Sequence, residues 1–302
     1  MSAEDALAEL EGKVLGSVRV GGWLAAVDRL RVLLATESPA LKRTLFALYA
    51  PKVEASALSA VAEAFGLGRA DALVIMGDQA KRLAKRSKKS KPSKEARDPI
   101  RGLDAEGRKA LASAFALART GADPATYLAP VFGHADRIQR RVSDAINRAG
   151  NEGTTRVADL AGVPTVWVAE TNACVHCLAY AGTVAKPGER FPGGLTYGKK
   201  SYYPNPIATP PRHPRCRCTV EPLNDQSYAD ALKREAQRSV LRGFSLESES
   251  MGVRVDAASR LLADGVNAPK SVIAYAENAV KRGEFTTRGR AAGSKPPEAP
   301  KP

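Results

Sequence analysis

Four cysteines and three histidines supply all the thiol and imidazole groups of this 302-residue chain, and six of the seven fall between positions 174 and 218. Cys174-Val-His-Cys177 opens the cluster, and His213-Pro-Arg-Cys216-Arg-Cys218 closes it, with 38 residues between Cys177 and Cys216. A C-x-x-C turn brings two thiolates to one ion with little backbone strain, and a second cluster completes a tetrahedron. The spacing therefore points to structural zinc held by Cys174, Cys177, Cys216 and either His213 or Cys218. There are more donors than the four such a site takes, so the ligand set stays open. Two other readings compete with the metal. One is a disulfide between the clusters, which a reducing cytoplasm disfavours. The other is a set of inert buried thiols. His176, inside the C-x-x-C turn, is read as a surface residue, and His134 as a residue near a helix start.

The same residues give little support to catalysis. No H-E-x-x-H of a zinc peptidase is present. Nor is the H-x-E with P-C-x-x-C of the zinc deaminases, a G-x-S-x-G elbow or a phosphate-binding glycine loop. A cysteine nucleophile needs a histidine partner, which His213 could supply to Cys216. Zinc ligands would lie equally close together.

The elements that must position these donors are short. Val163 to Ala169 is β-branched and aromatic and reads as a strand entering the cysteine region. From Gly182 to Pro214 the chain carries seven prolines and five glycines in 33 residues, which excludes a regular helix or long strand. With few apolar residues (Phe191, Leu195, Ile207 and some tyrosines) this loop needs a staple, and a metal would contribute several kcal/mol to its folding. Thr219 to Leu223 reads as a closing strand. Helical spacing governs the rest. Upstream it includes Leu7-Leu10-Val14, a Ser38-Pro39 start, an apolar stripe that Pro51 breaks or kinks and that stops at Gly66, and a helix from about Ala70. After Asp104 come a capped Asp123-Pro124 start and Ile138-Val142-Ile146-Ala149. Downstream, helices are expected over 228–241, 256–262 and 269–282, with Gly265 and Gly283 as C-caps. The fold class expected is α+β and predominantly α-helical. A helical N-terminal half precedes a small Cys/His-stapled, loop-rich, β-containing module, and a helical C-terminal segment follows it.

Composition bounds the function. With 44% hydrophobic and 26% charged residues the chain is globular rather than disordered throughout. It has no apolar run long enough to span a bilayer and no secretory leader, so a soluble protein with no membrane partner is expected. Of the net charge of +14, residues 81–97 hold nine Lys or Arg against one Glu, or +8, and 286–302 hold four against one, or +3. Both segments are expected to be mobile basic arms that touch DNA or acidic protein surfaces. The expected division is a helical domain over 1–80, a basic linker over 81–103, a domain over 104–223 that contains the Cys/His module of 163–223, helices over 224–285, and a disordered tail over 286–302.

The stretch from Trp167 through Glu170, Cys174-Val-His-Cys177 and Gly182, followed by Pro210-Pro-Arg-His213-Pro-Arg-Cys216-Arg-Cys218, resembles the phage Mu F-like head morphogenesis family. The likeness covers about 125–225, a third of the chain. It implies a minor capsid protein of a tailed bacteriophage, present in the virion and in the host cytoplasm during assembly. Its partners would be the portal protein and the major capsid or scaffold protein, with an influence on DNA packaging or ejection. A peptidase acting on capsid or scaffold is the alternative. A nucleic-acid-binding zinc module that uses the basic run of 81–97 together with Arg190, Tyr197, Lys199, Lys200, Tyr202 and Tyr203 is the second alternative. The family's acidic residue shortly before the first cysteine corresponds here to the neighbourhood of Glu170 and Asn172.

Overall fold

A computed structural model of the chain describes residues 53–170, 173–243 and 249–286. The expected helices before residue 53, the Ser38-Pro39 start and the Pro51 break lie outside the described residues, as do Asn172 and the tail beyond Thr286. The described chain is α+β and predominantly helical, as expected. In order it forms α1 (Glu54–Ile75), α2 (Ala80–Ser87), α3 (Lys94–Arg97), α4 (Leu103–Arg119), α5 (Pro124–Ala161), β1 (Thr165–Val168), α6 (Val175–Tyr180), β2 (Val184–Ala185), β3 (Thr219–Pro222), α7 (Gln226–Leu241), α8 (Met251–Ala263) and α9 (Lys270–Arg282).

Two compact units result. Residues 53–68 with Lys91–Gly150 form the first, and residues Arg69–Ser90 with those from Asn151 onward form the second. In the first unit, Ala57, Val61, Ala64 and Phe65 of α1 fall at i, i+4, i+7 and i+8, on one helix face. They meet Leu111 and Ala114 of α4 and Val131, Ile138, Val142, Ile146 and Ala149 of α5 in one buried core. The start of α1 borrows its cap from α4: the Asp104 carboxylate accepts from the amides of Val53 and Glu54 at 2.7 and 3.1 Å. Glu54 in turn accepts from the Gly102 amide at 3.0 Å. Orphan amide groups at two helix starts are thereby satisfied. The Asp123 side chain caps α5 through the Thr126 amide at 3.2 Å, as the sequence suggests. His134 is a fully buried residue of α5, ten residues past its first residue, which corrects the helix-start reading. Burial, then the charge of Arg137, pushes its imidazole below the usual histidine range.

Gly66 does not stop α1, which continues through Gly68 to Ile75. The two glycines do different work. A Cβ on Gly66 would meet open space, whereas one on Gly68 would lie 1.9 Å from the Gly150 carbonyl oxygen of α5. Gly68 thus permits two helix backbones to touch.

The basic segment is not the structureless linker expected for 81–103. Residues 80–87 form α2, with Leu83 and Ser87 fully buried, and 94–97 form α3 behind a Ser93 cap. One apolar side chain at the right helical position is enough to dock the helix. Leu83 packs with Ala72, Met76 and Val157.

The second unit is built round a three-stranded antiparallel sheet of order β2-β1-β3. Val166 pairs with Glu221 and Trp167 with Val220 across β1 and β3, and Thr165 pairs with Ala185 of β2. Because strand side chains alternate, the two central residues of β1 serve opposite faces. Val166 packs with Leu223, Ala229 and Leu232, while Trp167 packs among the cysteines with Val220, Ala236, Val240 and Leu241. Helices α7 to α9 close the unit, with Gly265 and Gly283 in left-handed conformation at the ends of α8 and α9.

Gly68→Ala should destabilise the protein by about 3 kcal/mol or more, because backbone must move to admit the methyl. Gly66→Ala should stabilise it by about 0.5–1 kcal/mol. Urea unfolding of the two variants reads both signs.

Candidate metal centre

The two halves of the cysteine motif are positioned by different local devices. Cys174 is the N-cap of α6, with extended backbone, and the Cys177 amide donates to its sulfur at 3.5 Å. One helical turn then places Cys177 beside it. In the second half the Cys216 amide donates to the His213 carbonyl at 3.1 Å. This closes a turn in which Arg215 adopts φ 64°. That left-handed residue swings Cys216 back toward His213. Beyond the turn the chain runs extended into β3, so Cys216, Cys218 and Val220 share the Trp167 face while Arg217 points away.

The four cysteines are buried and form no disulfide with one another, and all five expected donors converge. The His213 Nε2 lies 3.0 Å from the sulfurs of both Cys174 and Cys177. Cys177 and Cys216 sulfurs lie 3.6 Å apart. Two triads, Cys174-Cys177-His213 and Cys177-Cys216-Cys218, thus share Cys177, with donor atoms within 4.8 Å in each. A tetrahedral thiolate site with bonds of about 2.3 Å has sulfurs about 3.8 Å apart, near the observed separation, whereas a disulfide needs about 2 Å. These donors could hold a metal ion.

The orientation of His213 strengthens that assignment. Its Nδ1 lies 2.9 Å from the Pro214 carbonyl oxygen, which can only accept, so Nδ1 carries a proton and Nε2 is directed at the sulfurs. A ligand imidazole is commonly fixed in this way by a carbonyl behind it. The ionisation pattern fits a cation site. The Cys177 thiol and then His213 hold the Cys174 sulfur as thiolate, down at about 4. Donation from Cys177 and Cys218 keeps Cys216 well below the usual thiol range. The sulfurs of Cys174, Cys216 and Cys218 around Cys177, with burial, push its thiol upward, so it keeps its single proton. Donation from Cys177 favours the Cys218 thiolate, but the neighbouring Cys216 and complete burial push this thiol upward. Burial pulls the His213 imidazole down, yet the thiolates of Cys174 and Cys216 outweigh it and raise it to about 9. Binding of a cation would release the protons that these thiols and the imidazole carry.

Aromatic rings wall the site. Trp167 lies 4.8 Å from Tyr180 and 5.2 Å, edge-on, from Phe191 (ring centroids) beneath the cysteines. Tyr203 stacks on His213 at 6.1 Å and takes the edge of His176 at 5.7 Å. His176 is therefore half-buried and packed against aromatic rings, which corrects its reading as a surface residue. Arg212 covers Tyr180 and Tyr203 and donates to the Tyr203 carbonyl. The Pro/Gly-rich loop has no long strand, as expected, but a backbone pair between Phe191 and Ile207 folds it back on itself. Of the residues read as a possible base-stacking set, Tyr197 packs against the core and Lys199 pairs with Asp256 at 2.9 Å. Only Tyr202, with Lys200 at 5.9 Å, presents an exposed ring. Glu170, the acid ahead of the first cysteine, pairs with Arg217 at 3.1 Å.

Sequence reasoning missed Asn151. Its buried side chain, in α5, accepts from the Val220 amide at 2.8 Å and donates to the Cys218 carbonyl at 3.3 Å. It occupies the edge of β3 as another strand would, and so fixes the segment that carries Cys216 and Cys218. A helix-interior asparagine, poor in helix propensity, is the only signal in the sequence.

Comparison of the chain with protein-family models, curated proteins and solved structures finds no match.

Asn151→Ala should cost about 1–3 kcal/mol, because it strands a buried amide and carbonyl. The loss should appear in the unfolding transition followed by Trp167 fluorescence in a Trp23→Phe background.

Proposed function

We propose that this chain is a phage minor capsid or head morphogenesis protein that associates with the portal and procapsid, its central module held together by structural zinc. The observation that carries the reading is the convergence of the two motif halves, distant in sequence, on one site with Trp167 as its floor. Those are the residues on which the likeness to the Mu F-like family rests. The zinc ligands in this reading are Cys174, Cys177, Cys216 and His213, the last because its Nε2 meets two sulfurs at once. Cys218 then serves as a buried partner of the site. Burial of all four sulfurs favours a staple over a nucleophile, which would have to be presented to a substrate. No helix among the described residues is long and apolar enough to cross a membrane. That is compatible with a role in the virion and, during assembly, in the host cytoplasm.

Elemental analysis of reduced protein should find about one zinc per chain. Cys174→Ser or Cys216→Ser should abolish it and lower the unfolding temperature sharply. Metal-free wild-type protein of unchanged stability would refute the zinc assignment.

If the assembly reading holds, a portal gene is expected beside this one, and the tagged chain co-expressed with that portal protein should capture the portal ring. Absence of the chain from both rings and assembled heads would refute the assembly role. Alanine at Cys216 that leaves the fold intact while abolishing cleavage of co-expressed major capsid protein would instead establish the peptidase.

A further inference from the structure

The basic segment that sequence reading assigns to a mobile arm is docked, and docking changes what its charge can do. From Gln79 to Lys94 the chain has no acidic residue, and Lys81, Arg82, Lys85, Arg86, Lys88 and Lys89 follow one another through and just past α2. Leu83 and Ser87, one turn apart, are fully buried on the opposite side. All six cations are exposed. Two hydrogen bonds hold the helix and its end in place. Arg86 donates to the Leu160 carbonyl at 2.9 Å, and Arg156 of α5 donates to the Ser90 hydroxyl at 3.1 Å, which adds a seventh cation at the margin. The result is a ridge of positive charge with a fixed orientation.

The composition of the ridge selects its partner. A protein partner needs a desolvated apolar or aromatic anchor, and lysine is depleted from such interfaces. This ridge exposes no apolar side chain between Lys81 and Lys91, its one leucine being committed to the core. For the same reason it is not an interfacial membrane helix, which must insert an apolar face. Single-stranded nucleic acid is held largely by stacking on aromatic rings, and this stretch has none. What remains is the regular phosphate array of a duplex. It is recognised without reference to sequence, through charge neutralisation and counterion release.

We propose that the exposed face of α2 and the turn after it bind the phosphate backbone of double-stranded DNA independently of sequence. A docked ridge loses less conformational entropy on binding than a mobile arm, so its phosphate contacts act together. The proposal rests on the placement of α2 and is independent of the head-assembly reading.

The test is fluorescence anisotropy of a labelled mixed-sequence duplex of about 30 base pairs with the full-length protein, over about 50–200 mM salt. Wild-type protein should bind, with a steep negative slope of log affinity against log salt, and equally well to a second, unrelated sequence. Replacing Lys81, Lys85, Lys88 and Lys89 by Gln, all outward-facing, should weaken binding at least about tenfold and flatten the slope by about 3.6, or 0.9 for each of the four lost contacts. Removing the same number of cations elsewhere, as Arg288, Arg290, Lys295 and Lys301→Gln, should have a much smaller effect. The proposal fails if wild-type protein does not bind duplex, or if the two variants lose affinity equally. It fails also if a single strand of equal length, or polyglutamate of equal charge, binds more tightly than the duplex.

Discussion

The convergence of Cys177 with the sulfurs and imidazole around it is the constraint on which the second unit depends. A segment of 33 residues with twelve prolines and glycines cannot satisfy its backbone in a helix or a wide sheet. Among the described residues its own regular pairing is the two-residue β2 and the single Phe191–Ile207 pair. Its ends are instead fixed at Cys177 and at His213–Cys216, where 3.0 and 3.6 Å contacts bring them to one point. A structural metal held by these donors would contribute several kcal/mol or more. The surface pair of Arg217 with Glu170, which spans the same junction, is worth at most about 1 kcal/mol. With a metal bound, the donor cluster and not the ion pair would decide whether the loop is ordered.

The sheet and the cluster are one structure rather than neighbours. Trp167 sits in the central strand with the loop's aromatics on one side and the cysteines beside it, so the staple and the hydrophobic core share atoms. Asn151 couples both to α5 by taking the place of a fourth strand at the β3 edge. Loss of the cluster would unpin β3, and loss of β3 would displace two of the five donors. Local order in this region is consequently cooperative.

What was legible in the sequence follows a physical pattern. Spacing within a few residues reports local geometry, so the cysteine pair of α6, the Asp123 cap, the glycine ends of α8 and α9, and β1 and β3 could all be read directly. Contacts between segments remote in sequence leave a weak local trace. Nothing beside Asn151 announces a strand edge 67 residues away, and nothing beside His176 announces Tyr202 and Tyr203. Glycine was ambiguous for a related reason. Gly66 and Gly68 look alike in sequence as helix breakers, yet both lie inside α1, and only the backbone of another helix gives Gly68 its role.

The basic run shows the same limit in the other direction. Counting charge over residues 81–97 treats the segment as an average, and an average of +8 with serines and a proline resembles a solvated linker. Folding is decided by position. A single leucine four residues before a small buried serine gives α2 one apolar edge, and Ala72, Met76 and Val157 supply the surface that accepts it. Burying a leucine side chain is worth about 1.5–3 kcal/mol. That is enough to hold a two-turn helix already tied at its end by Arg86 and Arg156. Once held, the lysines are no longer independent charges on a coil. Mutual repulsion that would extend a free chain becomes electrostatic potential concentrated on one side of the unit, at a cost offset by the docked leucine.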